Sequence, residues 1–133
     1  MLDSISIQQR IFIVGDGSLF DEGLTELVSY GTTLRVSHVV YSNEIAFLNM
    51  IKRDQPDMVL LCESSALDTE QILESISINV LMIGLCIFVV HLGNNTIDAY
   101  ERLDAIAETQ SFQRRTIVAK TGNDLINILK RKP

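Results

Sequence analysis

Short apolar runs alternate with longer amphipathic ones along most of this chain. Arg10 to Val14 (RIFIV) reads as a buried strand, and GDGS follows as a turn that ends with Ser18 as a helix N-cap. From Leu19 to Tyr30 the apolar residues Leu19, Phe20, Leu24, Leu27 and Val28 fall at helical spacing, and Gly31 closes the segment. Leu34 to Val40 is rich in β-branched residues and reads as a second strand, after which Ser42 is placed to cap a helix carrying Ile45, Phe47, Leu48 and Ile51. The run DQPD at Asp54 to Asp57 breaks that helix. Met58 to Cys62 (MVLLC) is a third strand, continuous in hydrophobicity as parallel strands covered on both faces are.

The second half continues the alternation. Glu63 to Asp68 is a polar loop, and Asp68 or Thr69 starts a helix with Ile72, Leu73 and Ile76 inward. Cys86 to Val90 (CIFVV) reads as a fourth strand and LGNN as a turn. Thr96 is then read as the cap of a helix containing Ile97, Tyr100, Leu103 and Ile106. Arg115 to Ala119 makes a fifth strand, and Asn123 to Lys130 a last helix whose basic end suits the helix dipole. Strands separated by helices are parallel, because parallel neighbours need crossover connections. The expectation is an α/β fold, a doubly wound five-stranded parallel sheet in a single domain over residues 1–133. Sites in such sheets form beyond the carboxyl ends of the strands. That singles out Gly15, Asp16, Cys62, Glu63, His91 and Lys120.

Composition narrows the function classes. The 133 residues carry 11 Lys plus Arg against 17 Asp plus Glu, a formal charge of −6, opposite to what a phosphate-neutralising surface needs. Direct nucleic-acid binding by these residues is not expected. Hydrophobic residues make up 47% and charged ones 21%, which excludes a disordered or coiled-coil chain. Cys62 and Cys86 lie in apolar surroundings without CxxC spacing, so neither a disulfide framework nor a zinc cluster is signalled, and a reducing cytoplasm is the simplest home. The first dozen residues lack the pattern of a secretory signal. Val80 to Leu92 is the one stretch apolar enough to raise a membrane span, but a buried strand explains it better, since a span needs about 20 apolar residues.

At the strand ends the sequence becomes recognisable. RIFIVGDGSLFDEGLTELV at Arg10 to Val28 and PDMVLLC at Pro56 to Cys62 resemble the receiver domains of bacterial two-component response regulators, and SLFDEGL resembles the NarL/LuxR-type subgroup. The resemblance implies a flavodoxin-like strand order of 2-1-3-4-5. It also implies an acidic pair after the first strand that holds Mg²⁺, a phosphoacceptor Asp ending the third strand, a Ser or Thr ending the fourth and a Lys ending the fifth. These positions fall on Gly15 and Asp16, on Cys62, on His91 and on Lys120, so the only acid retained from the pair is Asp16. A thiol cannot form an acyl phosphate, and one missing carboxylate weakens a hard-cation site. The resemblance therefore implies a degenerate receiver with no metal, no cofactor and no catalysis. Lys120 is expected to pair with Asp16 across the pocket.

On that reading the chain is a phosphorylation-independent interaction or dimerisation module controlling transcription, with a protein partner or a second copy. DNA contact would come through a helix-turn-helix domain that these residues do not include. The candidate faces are the fourth and fifth helices with the fifth strand, or the first and fifth helices. Two other readings compete. Cys62, with Lys120 lowering its pKa or with His91 and Asp16 as metal ligands, would make a redox, metal or ligand sensor. A receiver phosphorylated at another residue would gain one phosphoryl group, and Glu63, one position along, is the residue to test. Glu63 should point to the opposite face from Cys62. His38 has no partner visible in sequence. The GDG at Gly15 to Gly17 lacks full GxGxxG spacing, and Asn94-Asn95-Thr96 fits a glycosylation pattern that a cytoplasmic chain never uses.

Overall fold

A computed structural model describes residues 8–64, 67–79, 84–91, 93–101 and 113–130. In these residues the elements are β1 (Arg10–Gly15), α1 (Leu19–Gly31), β2 (Arg35–Val40), α2 (Glu44–Asp54), β3 (Met58–Cys62), α3 (Thr69–Asn79), β4 (Cys86–His91), β5 (Thr96–Glu101), β6 (Gln113–Val118) and α4 (Gly122–Lys130). The strands form one six-stranded sheet in the order β2-β1-β3-β4-β5-β6. β2, β1, β3 and β4 are mutually parallel, whereas β5 is antiparallel to both β4 and β6.

The doubly wound packing follows from strand alternation. Phe12, Val14, Val59, Leu61, Ile87 and Val89 point to one face, where Phe47, Leu48 and Ile51 of α2 and Ile72 and Ile76 of α3 cover them. Ile11, Ile13, Met58, Leu60, Cys62, Cys86 and Phe88 point to the other, under Val28 of α1 and Leu125, Ile126, Ile128 and Leu129 of α4. α1 and α4 run side by side in the same direction. A Cβ on Gly122 would lie 2.9 Å from Leu27, and one on Gly31 would lie 2.7 Å from Ile126, so two glycines permit the close approach.

Helix boundaries are set locally. The cap of α2 is Asn43 rather than Ser42, its side-chain oxygen accepting the Ala46 N–H at 2.9 Å. Asp68 does the same for α3, accepting from Gln71 N–H at 3.1 Å. Gln55, at φ +46, turns the chain out of α2 ahead of Pro56, so DQPD acts as the expected breaker.

The expected five-stranded, all-parallel sheet is corrected on one element. Thr96 does not cap a helix; it opens β5. Gly93 to Asn95 form a tight turn with Asn95 at φ +58, and the chain returns antiparallel to β4 with His91 opposite Thr96. Thr, Ile and Tyr favour a strand, and TIDAY alternates as a sheet requires: Ile97 and Ala99 join the α1/α4 core while Tyr100 packs on the other. Leu103 and Ile106, expected on that helix, lie outside the described residues. The fifth expected strand is thus the sixth in the sheet. Among the described residues no helix is long and apolar enough to cross a membrane, and Cys86–His91 of the doubtful Val80 to Leu92 stretch is a strand.

Candidate functional site

The carboxyl end of β1 delivers Gly15 to the floor of the pocket and Asp16 to its rim, where Asp16 Oδ1 accepts the Ser18 N–H at 3.1 Å. Beside Gly15 lies Cys62, since Val14 is in register with Leu61. The space above Gly15 is filled. A Cβ there would lie 2.4 Å from Cγ and 2.6 Å from Cβ of Asp21, a fully buried residue in the first turn of α1. Position 15 therefore accepts no side chain while α1 stays where it is.

Asp21 is held by three donors. Ser18 Oγ donates to Oδ1 at 2.7 Å, Gly17 N–H donates to Oδ2 at 3.2 Å, and His38 Nε2 of β2 lies 2.5 Å from Oδ2. Burial pushes the Asp21 carboxyl up, but the bonds from His38, Ser18 and Gly17 together outweigh it and hold the group below its ordinary value. Asp21 is ionised in a buried site. Ser18 donates to the carboxylate rather than to the imidazole, the wrong order for a nucleophile relay through His38.

Cys62 is buried beneath this pair. Burial, then the negative charges of Asp21 and Asp16, push its thiol up to about 12. It is a thiol, not a thiolate, at neutral pH. That weighs against a reactive cysteine and against a thiolate metal ligand, and among the described residues no group of three His, Cys, Asp or Glu side chains is arranged to hold a metal ion.

Two residues expected in this pocket stand elsewhere. Strand alternation turns His91 to the α2/α3 face, away from Cys62, and the residue in register with Cys62 is Val90. The side chain beside Cys62 is thus the isopropyl group of Val90 and not the imidazole of His91 expected there. His91 is clamped between two carboxylates, Nδ1 2.9 Å from Glu63 Oε2 and Nε2 2.8 Å from Asp98 Oδ2. Glu63 does point opposite to Cys62, as alternation requires. Buried Asp98 also accepts from Thr116 Oγ1 at 2.6 Å and lies 3.6 Å from the Arg114 guanidinium. Burial lowers the His91 pKa, yet the bonds to Asp98 and Glu63 overcome it and raise the imidazole above its ordinary value. This polar chain ties the ends of β3 and β4 to β5 and β6.

Lys120 follows β6, solvent-exposed, and among the described residues no ion pair joins it to Asp16. The inserted β5 accounts for this. Neighbouring strands lie ~4.8 Å apart, so β5 carries the end of β6 one full strand spacing further from β1. The Lys120 backbone N–H instead donates to Asp124 at 2.9 Å, starting α4.

Of the expected set, Gly15, Asp16 and Cys62 meet at one place, while His91 and Lys120 do not join them. The residues that do, Asp21 and His38, escaped sequence reasoning. Asp21 looks like an ordinary first-turn acid favoured by the helix dipole, and only the β1–β2 register, Ile13 beside His38, brings its partner near. Comparison with known family models and with curated proteins finds no match.

Proposed function

We propose that this chain is a receiver-like regulatory module whose phosphorylation chemistry is disabled, and that it acts through protein contacts that control transcriptional output. The observation that carries the proposal is the occupied pocket floor. The buried Asp21 carboxylate takes the volume that a metal-binding side chain at position 15 would need, over a protonated Cys62 that cannot form an acyl phosphate. Val90 beside Cys62 and the outward displacement of Lys120 remove the other two contacts that a phosphoryl group would use. The pocket is held in one state by Asp21, His38 and Ser18 in place of a switchable ligand.

The first test is incubation with acetyl phosphate and Mg²⁺, read by intact mass. No gain is expected. Addition of one phosphoryl group would overturn the proposal and direct attention to Asp16, Asp21 or Glu63.

For the contact surface, the α1 side is favoured. Leu19 and Tyr30, at the two ends of α1, are 86% and 90% exposed. Leu19 and Tyr30 are eleven residues apart and so lie on one stripe of α1, the stripe on which we place the contact. Sedimentation at rising concentration should show self-association that Leu19→Glu or Tyr30→Glu weakens. A chain that stays monomeric throughout would remove the homodimer and leave a different protein as the partner.

A further inference from the structure

A cleft of about 290 Å³ opens between α1 and α4 at the carboxyl ends of β4 and β6, outside the filled pocket over Gly15. It exists because the two parallel helices are offset. Gly122, the first residue of α4, packs against Leu27, well along α1, so the first turns of α1 run on past the start of α4 with nothing of α4 beside them. Phe20 and Leu24 from those turns make one wall, and buried Ile97 and Leu125 make apolar lining beneath.

Lys120 lines the cleft, and among the described residues its ammonium has no ion-pair partner. His91 also borders the cleft, but its side chain is turned to the opposite face and held by Glu63 and Asp98; Asp124, which accepts the backbone N–H groups of Lys120 and Thr121, lies close enough for the Lys120 charge to help lower its pKa. An exposed lysine without an ion pair, at the edge of an apolar cleft, suits a ligand with one anionic end and an apolar body.

We propose that this cleft binds a small amphipathic carboxylate, its chain against Phe20, Leu24, Ile97 and Leu125 and its carboxylate on Lys120. The volume limits the ligand to a short fatty acid or a single-ring aryl acid, since drug-sized pockets begin at about 300 Å³. Binding there would brace α1 against α4, the helix pair next to the proposed contact surface. The site does not depend on the receiver-like reading, and a failure here leaves the phosphorylation result as it stands.

The test uses the full chain with octanoate as probe and octanamide as its uncharged counterpart, followed by amide chemical shifts in two-dimensional NMR. Octanoate is expected to give saturable shifts confined to the start of α1, the ends of β4 and β6 and the start of α4. Octanamide should bind about tenfold more weakly, the scale of losing one charge-assisted bond. Lys120→Met should abolish the difference between the two probes while leaving the remaining spectrum in place, because the backbone N–H by which Lys120 starts α4 is kept. Leu24→Trp, which fills the cleft, should abolish both. Equal affinity of the two probes, or unchanged octanoate binding by Lys120→Met, overturns the proposal. So does an octanoate-insensitive cleft whose resonances move on dilution instead, which would assign it to a second copy of the chain.

Discussion

Placing a single methyl group on Gly15 tests the central feature of the pocket. The alanine Cβ would sit 2.4 Å from Asp21 Cγ and 2.6 Å from its Cβ, where non-bonded carbons need roughly 3.5–4.0 Å. Asp21 is fully buried and held by Ser18, Gly17 and His38, so the first turn of α1 must move by about 1 Å to make room. Overpacking of this kind costs about 1–3 kcal/mol. Loosening bonds to an ionised carboxylate adds a partly overlapping ~1.5–3 kcal/mol. Gly15→Ala should therefore lose about 3 kcal/mol, a substantial part of the ~5–15 kcal/mol that holds an ordinary domain folded. The corresponding fall in Tm is about 10 °C. Urea unfolding followed by circular dichroism measures it, with Gly23→Ala as control. Gly23 lies in the same helix with nothing within 4 Å of its would-be Cβ, so alanine there should stabilise by about 0.5–1 kcal/mol. The double variant Gly15→Ala/Asp21→Gly should be less destabilised than the sum of the singles by ~1 kcal/mol or more, because removing one side chain makes room for the other. A Gly15→Ala protein within ~0.5 kcal/mol of wild type, or an additive cycle, refutes the steric account.

Three further outcomes follow from the charges. With its thiol pushed up to about 12 and both cysteines buried, the native protein should resist iodoacetamide at neutral pH and react only on unfolding; fast stoichiometric labelling of Cys62 would revive a redox role. Asp21 is lowered in the folded state, so its stabilisation is present above the unfolded value of 3.8 and is lost as pH falls through the lower folded value. Asp21→Asn should flatten the acid limb of a urea-midpoint profile, and an acid limb as steep as in wild type would count against the buried carboxylate. His91 runs the other way: raised when folded, it contributes fully below 6.5 and its contribution fades as pH climbs through the folded value. Urea midpoints taken from mildly acidic to mildly basic pH should decline for wild type, and His91→Gln should remove that decline.

Much of the architecture was written in local pattern. β1, β3 and β4 are central strands covered by helices on both sides, and the near-continuous apolar runs IFIV, MVLLC and CIFVV betray that environment. The run TIDAY was harder. Ile97 and Tyr100 are spaced equally well for a helix face, whereas Ile97 and Ala99 against Asp98 and Tyr100 satisfy a strand, and the pattern is too short to separate the two periods. The deciding signal was the turn ahead of it, where Gly93, Asn94 and Asn95 form the kind of connection that reverses a chain. The candidate site was legible only where it depends on strand ends. Gly15, Asp16 and Cys62 converge because neighbouring parallel strands finish together; Asp21 and His38 meet through a register that no local pattern encodes.

The inserted strand links several of these findings. An antiparallel β5 after β4 puts Asp98 on the α2/α3 face, opposite Thr116 and within reach of His91, so the end of β4 is fastened away from the Cys62 side. By the same step β6 moves outward, and Lys120 lines the cleft between α1 and α4, with no ion pair to Asp16 among the described residues. A lysine at the end of β6 is therefore not evidence for a phosphate site merely because it follows the last strand. Its chemistry depends on how many strands separate it from β1, and here that number assigns it to an apolar cleft rather than to the carboxylate of Asp16.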